Sequence, residues 1–147
     1  MDDGYWFRSL QFHIQDGEDA HTNPGCYGKS LAEWLAPEFA ALGYDTEVIA
    51  EDWGWCVMCV RGDFLLWIAC GAMTDPARLD GHPVAQPATG DIVWHVFTAI
   101  EVPFFRIGSL LKKWMGRLDL IELREKLNLQ LDAVLKANAS IVFCEEP

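Results

Sequence analysis

Three apolar segments near the middle of the chain follow one another with almost no intervening sequence. Residues 46–50, 53–60 and 64–70 are separated by two and by three residues. Parallel strands need a crossover of about a dozen residues or more, whereas antiparallel strands need only a tight turn. The connection Arg61-Gly62-Asp63 carries the glycine that a hairpin turn favours. The sequence therefore predicts antiparallel pairing at the centre of a β-sheet.

Further strands and helices flank these hairpins. Apolar or alternating runs predict strands at residues 5–14, 91–101 and 140–144. Helical spacing of apolar residues predicts helices at 24–42, at 103–115, and between Asp119 and Asn138. Pro37 is expected to kink or split the first helix, and Gly43 is expected to cap its C-terminus.

The predicted order of elements is β-α-β-β-β-β-α-α-β. The path from the first strand through the first helix to the second strand permits one right-handed parallel crossover. We therefore expect one α+β domain over residues 1–147, with a single mixed, mainly antiparallel sheet of five to six strands packed with three helices.

The charge of the chain is strongly negative and unevenly placed. The net charge is −11, and residues 1–101 carry 4 basic and 16 acidic side chains, a net of −12. Such a surface repels phosphate backbones, which disfavours nucleic-acid binding, and it attracts a basic protein, a cationic ligand or a metal ion. The alternative is that the acidity serves solubility alone.

Cysteine usage and the absence of membrane signals indicate a cytoplasmic protein. No apolar run approaches the roughly 20 residues that a membrane-spanning helix needs, and the first residues do not form a secretory signal. Five cysteines are an odd number without a disulfide framework, which favours reduced thiols. No membrane partner is expected.

The segment EDWGWCVMC, residues 51–59, is the first candidate site. Strand alternation predicts Trp53, Trp55, Val57 and Cys59 on one side, with Cys56 and Met58 on the other. Because the two thiols of Cys-x-x-Cys then diverge, we expect buried thiols and no metal. The acids and indoles suggest a patch that grips a basic side chain, although tryptophans at strand spacing also simply pack. The partner-binding residues predicted are Glu47, Glu51, Asp52, Trp53 and Trp55.

No motif for a catalytic nucleophile, a phosphate cradle or a cofactor stands out, and no catalytic residue or cofactor is predicted. We expect a non-catalytic binding protein, of which immunity proteins and antitoxins are examples, with a basic protein partner. The alternative is a small enzyme or ligand-binding domain with a site under the 71–90 loop, using His82, Asp80 and His95. A homo-oligomer is also possible through the apolar pair Phe104 and Phe105.

The stretch from residue 22 to residue 60 runs from a helix ending in Leu-Gly-Tyr, through a strand, to Asp-Trp-Gly-Trp. This arrangement resembles a segment of small bacterial proteins. The resemblance implies a bacterial cytosolic protein and carries no activity with it.

Overall fold

The structure, a computed structural model, describes residues 4–62, 64–73, 89–102 and 117–147. The prediction of an α+β fold is confirmed. The helix predicted at 103–115 lies outside the described residues. In chain order the described elements are β1 (Tyr5–Arg8), a 3₁₀ turn (Glu18–Ala20), α1 (Lys29–Ala40), β2 (Glu47–Glu51), β3 (Gly54–Arg61), β4 (Leu65–Met73), a second 3₁₀ turn (Thr89–Asp91), β5 (Val93–Glu101), α2 (Arg117–Lys136) and β6 (Val142–Cys144).

The six strands form one open sheet in the order β2-β3-β4-β5-β1-β6. The pairings of these strands are all antiparallel, so the central hairpins are confirmed and the expectation of a mixed sheet was wrong. A parallel crossover joins strands that become neighbours, but three strands separate β1 from β2. The chain instead passes with α1 from β1 to the far edge of the sheet.

The first strand is shorter than predicted, because the chain turns away at Ser9. β1 ends at Arg8, and the Ser9 hydroxyl accepts the Gln11 N–H at 3.1 Å. A local side-chain bond of this kind competes with the ladder of a strand. Phe12 is still only 1% exposed, and its ring lies 6.2 Å from that of Phe7.

Helix α1 begins at Lys29, five residues later than predicted, because a distant carboxylate caps it. The buried Glu18 accepts the N–H of Gly28 at 2.7 Å and that of Lys29 at 3.1 Å. These are N–H groups that a helix start leaves without partners. Gly28 has φ +150°, and a Cβ there would lie 2.4 Å from the carbonyl oxygen of Cys70 on β4. The Glu18 cap and the close approach of Gly28 to the sheet therefore fix the start of the helix together.

The end of α1 agrees with the prediction of a glycine cap. Gly43 has φ +102°, and its N–H bonds to the carbonyl three residues back at 3.0 Å. The Tyr44 N–H bonds to the carbonyl of Phe39 at 3.2 Å, which completes a Schellman motif. Pro37 does not split the helix. It lies exposed in the last turn, and because proline has no N–H it leaves the Glu33 carbonyl without its usual helical donor.

Both described helices bury their apolar stripes against one side of the sheet, which we call the helix face. The helix between Asp119 and Asn138 is confirmed as α2, and its stripe meets that of α1 over the strands. The largest fully buried members of this core are Phe7, Phe12, Leu31, Leu35, Phe39, Leu66, Ile68, Ile92, Trp94, Leu127, Leu131 and Leu135.

Strand β3 is buried on both of its sides, as its sequence predicts. Val57 packs in the core on the helix face, while Cys56 and Met58 are 1% and 7% exposed on the opposite side. A register shift between Met58 and Val60 marks a β-bulge. The extra residue turns Arg61 away from the helix face.

Candidate binding site on the aromatic face

The side of the sheet opposite the helices carries a continuous row of rings. The ring centroids of Trp53 and Trp67 lie 5.5 Å apart, and those of Trp67 and Phe97 lie 6.2 Å apart. Phe97 is 5.2 Å from His95, which stacks on Trp6 at 3.7 Å with an interplanar angle of 4°. We call the surface formed by these five rings the aromatic face. It crosses the sheet from the β2–β3 turn through β4 and β5 to β1.

The cross-strand register explains why this face contains hollows. Directly opposite residues of an antiparallel pair share a face, so a small residue beside a ring leaves space above it. Three such pairs stand between β4 and β5: Trp67–Ala99, Phe97–Ala69 and His95–Gly71. Each of these rings therefore stands opposite a residue with little or no side chain.

One hollow forms a cavity of about 260 Å³. We call it the acidic pocket, because two exposed carboxylates lie on its rim. Its described lining includes the indoles of Trp53 and Trp67, the buried side chains of Cys56 and Met58, and the carboxylates of Glu51 and Glu101.

A second cavity of about 260 Å³ adjoins the acidic pocket, and Trp53 lines both. His95 and Phe97 contribute to this second cavity, together with the small residues Ala69 and Gly71. The Trp53 side chain is 44% exposed. Its indole therefore separates two hollows and remains open to an approaching molecule.

Four of the five predicted binding residues lie together along one edge of the sheet. Glu47 and Glu51 belong to β2, the outermost strand, and their register partners place them on the side of the aromatic face. Asp52 and Trp53 follow in the turn to β3, and all four residues are exposed.

Trp55 does not join them. It is 6% exposed and belongs to the core on the helix face, with the Lys29 Nζ 5.4 Å from its ring centroid and His21 at 6.4 Å. The prediction that Trp53 and Trp55 share one side was wrong, because Trp53 lies in the turn before β3, outside the alternation of the strand. Trp55 supports the fold and offers no exposed contact.

Of the carboxylates near the acidic pocket, the described ion pairs involve Glu47. Glu47 forms an exposed ion pair with Arg61 at 3.4 Å, on the side to which the bulge turns the arginine. Within the described ranges, no ion pair involves Glu51, Asp52 or Glu101. Glu51 and Glu101 line the acidic pocket, and their carboxylates contribute negative charge to its rim.

The buried thiols are held in the protonated form. Burial raises the pKa of Cys56 to about 12, with the carboxylate of Glu51 adding to the shift. Burial likewise raises the pKa of Cys59 to about 12 and that of Cys70 well above its ordinary value. Cys59 packs in the core of the helix face and Cys56 on the opposite side, as predicted. A neutral thiol is a weaker nucleophile than a thiolate, so burial lowers the reactivity of both cysteines.

The histidines are not assembled into a described site. His82 and Asp80 lie outside the described residues, so the site predicted under the 71–90 loop stays a prediction. His95 lines the second cavity, whereas His13 is exposed and outside any strand. Across the part of the chain that the structure describes, no three His, Cys, Asp or Glu side chains come together as metal ligands.

A larger cavity of about 500 Å³ lies between β5 and α2. Its polar groups bond to one another: the Arg124 Nε donates to the Thr98 carbonyl at 3.3 Å, and the Thr98 hydroxyl to Asn128 Oδ1 at 3.3 Å.

Comparison with protein-family models, with curated proteins and with solved structures finds no match. No helix among the described residues combines the length and the apolar character needed to cross a membrane. The chemistry of the aromatic face is therefore the basis for a functional proposal.

Proposed function

We propose that this protein is a non-catalytic binding protein for a basic protein partner, comparable in kind to immunity proteins and antitoxins. The observation that carries the proposal is the exposed Trp53 indole beside the carboxylates of Glu51 and Asp52, at the free edge of the sheet. An aromatic anchor surrounded by charge is typical of the residues that dominate binding energy.

Electrostatics supports a basic partner. The chain has a net charge of −11, and residues 1–101 alone carry −12. A negative surface accelerates the encounter with a positive one and repels partners of like charge. Such a gain in association rate falls as salt screens the charges.

The packing behind Trp53 supports its role as an anchor. Its ring stacks on Trp67, which in turn contacts Phe97 on the next strand. A side chain held in this way loses little conformational freedom when a partner covers it. Trp55 contributes only indirectly, because it fixes β3 against the helix face.

A cytoplasmic, bacterial setting belongs to the same proposal. All five cysteines are free thiols, which suits a reducing compartment. Assembly with a second copy through Phe104 and Phe105, which lie outside the described residues, is a separate possibility that light scattering tests.

A small enzyme or ligand-binding domain is the second candidate. The observation that favours it is His95 on the wall of the second cavity, stacked on Trp6. Imidazole is the side chain best suited to proton transfer near neutral pH. A thermal-shift screen against metals and metabolites tests it: a specific stabilisation that His95→Ala abolishes supports this function, and a flat response contradicts it.

The main proposal is tested by charge reversal at the edge of the sheet. Wild type, the pair Glu51→Lys and Asp52→Lys, and the control pair Glu122→Lys and Glu125→Lys on α2 are used to capture partners from lysate of the source cell. We expect wild type and control to retain the same basic protein, with a salt-sensitive association rate, and the edge variant to lose it. Equal capture by all three contradicts the proposal.

A further inference from the structure

We infer that the acidic pocket receives one cationic side chain, lysine or arginine, that projects from the basic partner. This inference rests on the proposed function and assigns to one cavity the contact that selects the partner. The juxtaposition that carries it is two indoles, an apolar base and two carboxylates around one hollow.

The size of the pocket suits a single side chain. Its volume is about 260 Å³, below the roughly 300–1,000 Å³ of pockets that enclose drug-sized ligands. It lies on the aromatic face beside the exposed Trp53, where a residue of a docked protein can reach it.

The lining matches the two parts of a lysine or arginine side chain. Cys56 and Met58, both nearly fully buried, form an apolar base that suits an aliphatic stem. Trp53 and Trp67 are partly exposed at its sides and present indole faces. Among aromatic side chains, tryptophan attracts a cation most strongly.

The carboxylates decide the sign of the occupant. Glu51 ends β2 and Glu101 ends β5, so the two charges reach the rim from different strands. A guanidinium or an ammonium in the pocket can form a charge-assisted bond with a carboxylate of the rim, and bonds of this kind are the stronger ones. A neutral apolar occupant would instead remove water from two carboxylates without replacing it.

Nuclear magnetic resonance of the tryptophan indole N–H groups tests the inference on the full chain. The probes are N-acetyl-L-arginine methylamide, the corresponding lysine compound, and the neutral citrulline compound as the isosteric control. Trp53→Phe and Trp67→Phe assign the two resonances. We expect both resonances to shift saturably with millimolar affinity for the cationic probes, and at least tenfold more weakly for citrulline.

Matched variants identify the charges responsible. Glu51→Gln combined with Glu101→Gln should weaken the arginine probe at least tenfold. Glu122→Gln combined with Glu125→Gln removes two exposed charges from α2 and should leave the affinity unchanged within twofold. All four residues are exposed, so the variants are expected to fold.

Three results overturn the inference: a citrulline response equal to that of arginine, equal weakening by both double variants, or no response of Trp53 and Trp67. The proposed function is tested separately, by capture of the partner. Capture that depends on Glu51 and Asp52 but persists in Glu101→Gln and Trp67→Phe keeps the function and removes the pocket from it. Binding of the arginine probe without any captured basic protein keeps the pocket and removes the function.

Discussion

The two faces of the sheet are built from the same alternating strands, but two helices pack on one face, whereas rings and two cavities lie on the other. On the helix face, Trp94, Leu35 and Ile68 are completely buried beneath or within two helical stripes. On the aromatic face, rings lie beside small residues, and Trp53 remains 44% exposed between two cavities. Strands of similar apolar content therefore bury one face fully and leave hollows between rings on the other.

The largest expected effect tests how tightly the helix face is closed. In Gly28→Ala the new Cβ would lie 2.4 Å from a backbone oxygen of β4, at a φ of +150°. We expect the free energy of unfolding to fall by about 3 kcal/mol or more, measured by urea denaturation. Gly17→Ala is the control, because φ is +79° there but nothing lies within 4 Å; it should cost about 1 kcal/mol. Equal losses would show that contact with the sheet is not what constrains Gly28.

The second prediction compares the faces directly. Leu35→Ala on the helix face should lower the free energy of unfolding by about 3 kcal/mol, since it leaves a cavity in a fully buried site. Trp53→Ala on the aromatic face should lower it by about 1 kcal/mol or less while weakening the capture of the basic partner. Chemical denaturation and capture are measured on the same samples. A Trp53 variant as unstable as the Leu35 variant would erase the distinction between the two faces.

The third prediction concerns the carboxylate that fixes α1 on the helix face. Glu18 accepts the Gln15 N–H at 2.7 Å on one oxygen and the N–H groups of Gly28 and Lys29 on the other. In Glu18→Gln an amide N–H₂ must face a backbone donor, so we expect a loss of about 2 kcal/mol in thermal or urea unfolding. Asp16→Asn, at an exposed position, should change stability by less than about 0.5 kcal/mol. A neutral effect of Glu18→Gln would mean that the capping bonds do not need the charge.

The smallest expected effect is a loss of stability at alkaline pH, and it involves Cys56, the buried thiol of the aromatic face. Its pKa is raised to about 12 from 9.0. The unfolded chain therefore loses this proton first, and the associated stability is complete below pH 9 and declines as the pH rises toward 12. Raising the pH from 8 to 9.5 should lower the free energy of unfolding of wild type by about 1 kcal/mol more than that of Cys56→Ala. Urea unfolding under reducing conditions measures both slopes, and parallel slopes would contradict the assignment.

Much of the fold was predictable because its causes are local. The short connection at Arg61 and the two-residue gap before β3 force antiparallel neighbours, and Gly43 is followed by a residue that completes the Schellman motif. The start of α1 was missed because its cap, Glu18, lies ten residues upstream and no spacing rule connects the two.

The candidate site was predictable only in part. Glu47, Glu51, Asp52 and Trp53 lie within seven residues of the sequence and along one edge of the sheet. Trp67 and Glu101 were missed, since each joins the pocket through strand register. Counting back from the pair Arg61–Leu65 without a bulge would place Trp67 opposite Cys59, on the helix face.

The sequence alone therefore determined the antiparallel centre of the sheet, the glycine cap at the end of α1 and the negative charge of this protein, because each follows from neighbouring residues or from composition. The tertiary structure decided that Trp53 faces Trp67 while Trp55 is buried on the other side. The physical reason is that side chains alternate along a strand with a period of two. A one-residue bulge or a turn residue outside the ladder reverses the face, and no local pattern reveals it.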